Sequence, residues 1–406
     1  MILKQIKNYF YKIVKNDDDP IEAAKNMVNS IQIFVGIHNM FGDANRKMTP
    51  LSLLGALVFA GSFVYVGTIS QTVYLINVFP DKIECFKAMN CLSSTCIPLS
   101  KYIFMWLSSE RLKKILDMSR QGLKIIPDES AAKKKMLTTL RKGRYVSFLV
   151  IINQATSHIF YLVLPLLFTI FGNSRYLPST PGEIFGLSGK YESPFYQISF
   201  ILTSIATGFS AINQTGYIVL FVSLLSHELG HFYAITETLN YIYKILNGEE
   251  TFERDDVKQK IIEDKLKLCI KHHQFIMIYH ERIKNLYKSV FGAHFLMMTL
   301  VLVTTLQTMN AWDISNTLLT GVTGIMPLFI YCFGGELLLI AESRMSTAVY
   351  SSGWELMNPR QAKMVLIMLI LSQEPLYLTA SDIFIMNRET FGDVAQIIYK
   401  IYAVFN

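Results

Sequence analysis

Five stretches of the chain hold no Asp, Glu, Lys or Arg: Met48–Pro80, Tyr145–Ser174, Ser193–Ser226, Ser289–Trp312 and Ile314–Gly335. Each is long enough to cross a bilayer as a helix, because a hydrocarbon layer roughly 30 Å thick needs about 20 apolar residues. A sixth span is predicted over Phe86–Ser108 although it carries Lys87 and Lys101. Their long stems are expected to lift the ammonium groups toward the headgroups. The C-terminal pattern differs. Met364–Leu371 is an apolar run too short to span, and Pro375 follows it. Beyond it, Leu376–Asn406 is punctuated by Asp382, Arg388, Glu389, Asp393 and Lys400, so only Val394–Phe405 is bilayer-compatible. A helix this polar suits neighbours on one face and water on the other.

Composition agrees with a bilayer as solvent. Of the 406 residues 51% are hydrophobic and only 17% charged, where a soluble domain carries about 25% charge. Residues 1–30 do not read as a cleavable signal peptide, since Lys4, Lys7, Lys12 and Lys15 are spread through them. The net charge of +7 reflects loop asymmetry rather than a nucleic-acid surface. Seven basic residues precede the first span, 11 lie in 109–144, 10 in 227–288 and three in 336–363, against three in the alternate loops (Lys82, Arg175 and Lys190). The positive-inside rule puts the basic set in the cytoplasm. Seven spans then run from a cytoplasmic N-terminus to an extracellular C-terminus, opposite to G-protein-coupled receptors.

Helical periodicity continues past the membrane. Ile262, Leu266, Cys269, Ile276 and Ile283 make one stripe with charges between them. That stripe runs into the fifth span without a Gly or Pro until Gly292, and the sixth span continues through Leu337–Tyr350 to Gly353. Such projecting stripes must pack on something, which predicts a cytoplasmic helical bundle. The five cysteines (Cys85, Cys91, Cys96, Cys269, Cys332) have no paired metal-ligand spacing and read as small hydrophobes.

Chemistry-bearing motifs are few. His227-Glu228-Leu229-Gly230-His231 matches H-E-x-x-H, which on a helix offers two imidazoles and a general base to zinc. It makes an intramembrane zinc protease the alternative function, against a polar helix end at the cytoplasmic mouth of span four. A third zinc ligand in a known context is missing, although Glu336 and Glu342 are available. His272 and His273, with His280, are expected on a solvated face, since adjacent residues point apart on a helix. Asn213-Gln214-Thr215 is a glycosylation sequon inside a span and is expected to be unused. A transporter would show repeated spans, and no repeat is legible. No nucleotide loop, nucleophile elbow or carboxylate dyad appears.

Polar residues inside the spans carry more. Asn90 and Ser93 in span two, Ser157, His158 and Tyr161 in span three, and Gln197, Ser204 and Thr207 in span four fall in or near the outer half. They serve either as interhelical hydrogen-bonding groups or as the orienting groups of a pocket for a small, mainly apolar ligand. Phe86, Met89, Phe200 and Met326 would supply that pocket's apolar wall.

The last third reads Tyr331-Cys332-Phe333-Gly334-Gly335-Glu336, Glu342-Ser343, Ala348-Val349-Tyr350 and Trp354. It goes on to Ser372-Gln373-Glu374-Pro375-Leu376-Tyr377-Leu378-Thr379-Ala380 and Glu389-Thr390-Phe391. This progression resembles insect odorant receptors, and Cys269–Gln274 resembles the family's segment before span five. Tyr399–Asn406 lacks the ending of the related gustatory receptors, and 227–288 is too short for the co-receptor's insertion. The resemblance therefore points to a ligand-tuning subunit. It implies an all-α integral membrane fold and a ligand-gated, non-selective cation channel, a heterotetramer with the co-receptor. It also implies a plasma membrane of sensory dendrites, a volatile organic odorant as ligand, lipid and no nucleic acid as further partner, no cofactor and no enzymatic activity. On this reading 1–47 is a cytoplasmic segment and 48–345 six spans with their extensions. The region 346–380 is an anchor and 381–406 the pore-lining last helix. By position, Val404 resembles the family's gate residue, with Ile401 and Ile397 one and two turns before it, and Lys400 is unexpected beside a cation path.

Overall fold

The structure, a computed structural model, describes residues 50–405 apart from 129, 173, 179–181, 188, 251, 253 and 310–313. The expected cytoplasmic segment 1–47 lies outside the described residues. The first rod is α1 (Pro50–Val64), a π turn (Tyr65–Ile69) and α2 (Ser70–Val78). Then come α3 (Lys82–Leu107), α4 (Ser109–Ile125), α5 (Ala131–Phe171), α6 (Phe195–Leu246), α7 (Asp255–Gln307) and α8 (Ile314–Tyr350). A 3-10 turn (Trp354–Leu356), α9 (Pro359–Leu371), the strands β1 (Thr379–Ala380) and β2 (Phe384–Ile385), and α10 (Arg388–Phe405) complete the chain.

Five helical segments among the described residues are long and apolar enough to cross a membrane, within the first rod, α5, α6, α7 and α8. With α3 and α10 they make the seven helices expected for the spans, in an all-α membrane fold. The 53 residues of α7 extend about 80 Å, far beyond the hydrocarbon layer. The excess forms the cytoplasmic bundle. There Ile262, Leu266, Cys269, Ile276 and Ile283 are all buried, beneath α4, α6 and α9, which pack along α7. Gly353, at φ +78°, follows the end of α8 in the left-handed region that glycine adopts at least cost. α9 starts on an N-cap: Asn358 accepts from the Arg360 and Gln361 amides, and the Gln361 side chain returns the bond to the cap.

Three expectations need correction. Lys101 does not reach the headgroups. It is 1% exposed, with its ammonium over the rings of Tyr217 and Tyr331 at 5.3 and 5.5 Å from their centroids. Aromatic faces attract a cation in place of solvent. The second correction concerns His272, His273 and His280, which are buried rather than solvated. Adjacent residues on α7 do point apart, but helices cover it on more than one side. Third, Gly292 does not interrupt α7. It serves a close approach instead.

That approach is the docking of the β-hairpin. A Cβ on Gly292 would lie 1.8 Å from Ser381 Oγ, and one on Gly335 of α8 would lie 1.8 Å from the Met386 carbonyl. The hairpin turn, with Ser381 at φ 53° and Asp382 at φ 57°, sits in these two notches. The Ser381 amide donates to the Lys288 carbonyl at 2.8 Å, and Lys288 Nζ pairs with Asp382 at 2.9 Å. Just beyond, Glu336 on α8 accepts from the Arg388 amide at 3.3 Å and pairs with its guanidinium at 3.4 Å. A carboxylate at a helix N-terminus satisfies one of the free amides and faces the positive end of the dipole. The last helix is thus held at its start by α8.

The notch makes a prediction. Gly335→Ala should destabilise the protein by about 1–3 kcal/mol through overpacking against a backbone carbonyl that cannot rotate away. Gly392→Ala, with nothing within 4 Å of its added Cβ, should not. Thermal unfolding of the purified protein compares the two, and equal melting temperatures would refute the docking role.

Candidate functional site

A cavity of about 190 Å³ opens between α1, α3, α5, α6, α7 and α8. On the derived orientation it lies in the outer half of the bilayer. Of the residues expected from the sequence, Asn90, Ser157, His158, Tyr161 and Thr207 line it together. Phe86, Met89, Ser93, Phe200, Ser204 and Met326 are not among its described lining. Ser204 turns back onto the Phe200 carbonyl at 2.6 Å, Phe200 meets the Tyr196 ring, Met326 packs against the core, and Ser93 is buried on α3. Gln197 donates to Ser193 Oγ at 3.1 Å, outside this lining.

The apolar wall comes from other residues, among them Phe63, Val66, Ile97, Ala206, Met298 and Val301. Sequence reasoning passed over Gln154 and Gln214 as well, although an amide inside a span is the kind of residue that marks a site. It also passed over Thr320 and Thr323, at the start of α8. Most polar groups in the wall are already engaged. Asn90 Nδ2 lies 2.9 Å from the Val301 carbonyl and from Thr304 Oγ1, and 2.8 Å from Thr305 Oγ1. Tyr161 and Thr320 share a hydroxyl pair at 3.0 Å, which ties α5 to α8. Ser157 and Thr207 donate to carbonyls one turn back, the usual resort of a helical hydroxyl in hydrocarbon.

The H-E-x-x-H residues form a different arrangement, at the cytoplasmic end of the membrane region. His231 Nδ1 lies 2.6 Å from His272 Nε2, and Glu228 accepts from His280 Nδ1 at 2.6 Å with both side chains buried. The motif's carboxylate and one of its imidazoles are therefore engaged by α7. No group of three or more His, Cys, Asp or Glu residues suited to a metal occurs among the described residues. Burial disfavours a charged His280, but the charge of Glu228 and its hydrogen bond outweigh burial and hold the imidazolium above the ordinary range. His272 is pushed down to about 4 by burial and the charge of His273. His231 falls well below its usual value by burial, with His272 and His227 adding to it.

The last helix presents two faces. Val394 and Ile398 are buried against the bundle, and Gln307 Nε2 donates to the Tyr402 carbonyl at 3.3 Å. On the opposite face, Ile397 is 41% and Val404 81% exposed, with Asp393, Gln396 and Lys400 beside them, while Ile401 is partly buried.

The histidines predict a pH dependence with two limbs. A lowered histidine withdraws stability as pH falls below the unfolded value of about 6.5, and a raised one withdraws it as pH rises through the folded value. Melting of the purified protein should therefore fall from about pH 6.5 toward about pH 4, and His272→Gln should flatten that limb. The Glu228→Gln/His280→Gln pair should flatten the limb above about pH 6.5. Unchanged limbs in both variants would contradict the assignment.

Comparison with known proteins places the whole. Residues 82–399 match the family model described as 7tm Odorant receptor. Odorant receptor 82a of Drosophila melanogaster is 22% identical over 372 residues, covering 86% of this chain and 90% of the relative. Odorant receptor 10a of the same species is 23% identical over 217 residues, half the length of each chain. The olfactory receptor OR5 of Machilis hrabei, solved in complex with eugenol, superposes with a TM-score of 0.77 at 16% identity, covering 95% of this chain and 99% of that one. With a family match over most of its length and a membrane fold that agrees, the chain belongs to the 7tm odorant receptor family, a family of receptors and not of enzymes.

Proposed function

We propose that the chain is the odorant-binding subunit of a ligand-gated, non-selective cation channel. It assembles with the odorant receptor co-receptor in a heterotetramer of the plasma membrane, in the dendrites of olfactory neurons. The observation that carries this reading is that α8 touches both ends of the process. Thr320, Thr323 and Gly324 line the cavity, and Glu336 of the same helix holds the start of α10. A small volatile molecule in the cavity biases the position of α8, and α8 carries the last helix with it. The effect requires the ligand to bind the open arrangement more tightly than the closed one.

The exposed face of α10 supports a place at a shared axis, where Ile397 and Val404, with the partly buried Ile401 at the edge, would form an apolar neck. Such a constriction closes by dewetting and needs no charged plug. OR5 of Machilis hrabei, with its eugenol complex, makes a small aromatic odorant a reasonable first probe of the cavity.

The test separates site from gate in cells that coexpress this chain with the co-receptor. Val404→Ala should change conductance, block or leak and leave the ranking of odorants intact. Tyr161→Phe, which removes the tie to Thr320, should change ranking or sensitivity and leave conductance intact. Reagent access to Ile397→Cys, Ile401→Cys and Val404→Cys should differ between closed and open states. Cysteines silent in both states would remove α10 from the pore.

A further inference from the structure

Two amides in the cavity wall hold buried polar atoms without a hydrogen-bond partner. Gln154 on α5 is 6% exposed, and its Nε2 has no hydrogen-bond partner. Gln214 on α6 has an equally unpartnered Oε1. Both side chains line the cavity. The two helices run antiparallel, with the His158 ring against Gly208 and Ser226 against Gly143. Interpolating between those contacts brings position 154 level with about position 213, next to Gln214. The two amides thus reach the same cavity from α5 and α6 at about the same level, one with an unpaired donor and the other with an unpaired acceptor.

An amide buried in an apolar setting without a partner forfeits its hydration and gains nothing in return. A group that both accepts and donates relieves the two at once. A hydroxyl does this. It accepts from Gln154 Nε2 and donates to Gln214 Oε1, and because each amide carries both functions it would do so with the amides turned the other way. An ether or ketone oxygen accepts only, so the other amide's acceptor stays unpaired, and a hydrocarbon relieves neither. Among the described residues no Asp, Glu, Lys or Arg lines the cavity, so a carboxylate or ammonium would enter without a counter-charge from these. Size sets the remaining limit. A cavity of about 150 Å³ takes benzene, so the 190 Å³ here accommodates a molecule of about seven to ten heavy atoms.

We infer that this receptor is tuned to small neutral alcohols or phenols, with Gln154 and Gln214 reading the hydroxyl from α5 and α6. The inference rests on the cavity being the odorant site. Sites built to hydrogen-bond a hydroxyl discriminate strongly against analogues that lack it, because their own polar groups are then left unpaired. The wall around the two amides, with Phe63 and Met298 in it, provides dispersion contacts that every member of such a series shares.

The experiment is a dose–response comparison of size-matched probes: benzyl alcohol, anisole, ethylbenzene, benzoate and benzylamine. They are applied to cells expressing the intact chain with its co-receptor. Three variants are measured alongside, Gln154→Leu, Gln214→Leu and the bulk-adding Ala211→Phe, with surface expression as the folding control. Benzyl alcohol should be effective at a concentration at least about tenfold below that of anisole or ethylbenzene, with the two ions weakest. Either leucine variant should shrink that ratio toward one, mainly by weakening the alcohol. If wild type shows no preference for the alcohol, or keeps it in both leucine variants while Ala211→Phe abolishes the responses, the hydroxyl inference is overturned and the cavity stands. If Ala211→Phe leaves every response untouched at normal surface expression, the cavity reading fails and takes the inference with it.

Discussion

In a bundle surrounded by hydrocarbon, an inward-turned polar atom finds a protein partner or stays costly, because no solvent makes up the difference. Asn90 shows the first outcome. Its amide is committed to a carbonyl and two threonines of α7, which fixes α3 against the fifth span and sets one wall of the cavity. The hydroxyls of Ser157, Ser204 and Thr207 settle the same demand locally, each on a carbonyl one turn earlier. Others stay unpaired, among them Tyr217, Tyr287 and His294 in the core and Gln154 and Gln214 in the cavity wall.

The connection from cavity to last helix is built on contacts that tolerate little change. Tyr161 and Thr320 tie α5 to α8 beside the cavity. Farther along α8, Gly335 admits the hairpin and Glu336 takes the first amide of α10. One turn and a half beyond, Glu342 accepts from the Leu376 amide at 3.1 Å, which fixes the strand entering the hairpin. A shift of α8 therefore moves the start of α10 and the hairpin together. Packed interfaces of this kind tend to jump between arrangements rather than deform smoothly, which suits a gate.

Much of this was legible in the sequence, for reasons that can be named. Charge-free windows announce spans because charged side chains are so costly in hydrocarbon, and the stripe from Ile262 to Ile283 announces a helix packed on its neighbours. Gly353 stops α8 where its pattern ends. The failures share a cause as well. The long stem of Lys101 predicts a reach toward the headgroups, whereas the rings that receive its ammonium belong to α6 and α8. His272 and His273 were placed on a solvated face by a rule about one helix, whereas three others cover it. Phe86 and Met89 are apolar residues of span two, as the expected wall requires, but they are not among the described lining, and the direction each side chain takes depends on how α3 is rotated against α7. No local pattern encodes that rotation.

The same reasoning explains how an enzyme-like motif comes to stand in a receptor. H-E-x-x-H places two imidazoles and a carboxylate on neighbouring turns of α6, which is what a zinc peptidase needs. It is also what a helix needs to bind a second helix at the level where the membrane ends. Here α7 answers residue for residue, His272 to His231 and His280 to Glu228. A buried carboxylate with a paired imidazole is costly to separate, since breaking it strands a charge. That pair and the His231–His272 contact beside it, below the cavity, hold α6 to α7. The spacing alone is compatible with both chemistries. What separates them is the partner across the interface, and that partner lies on another helix, outside the reach of any motif.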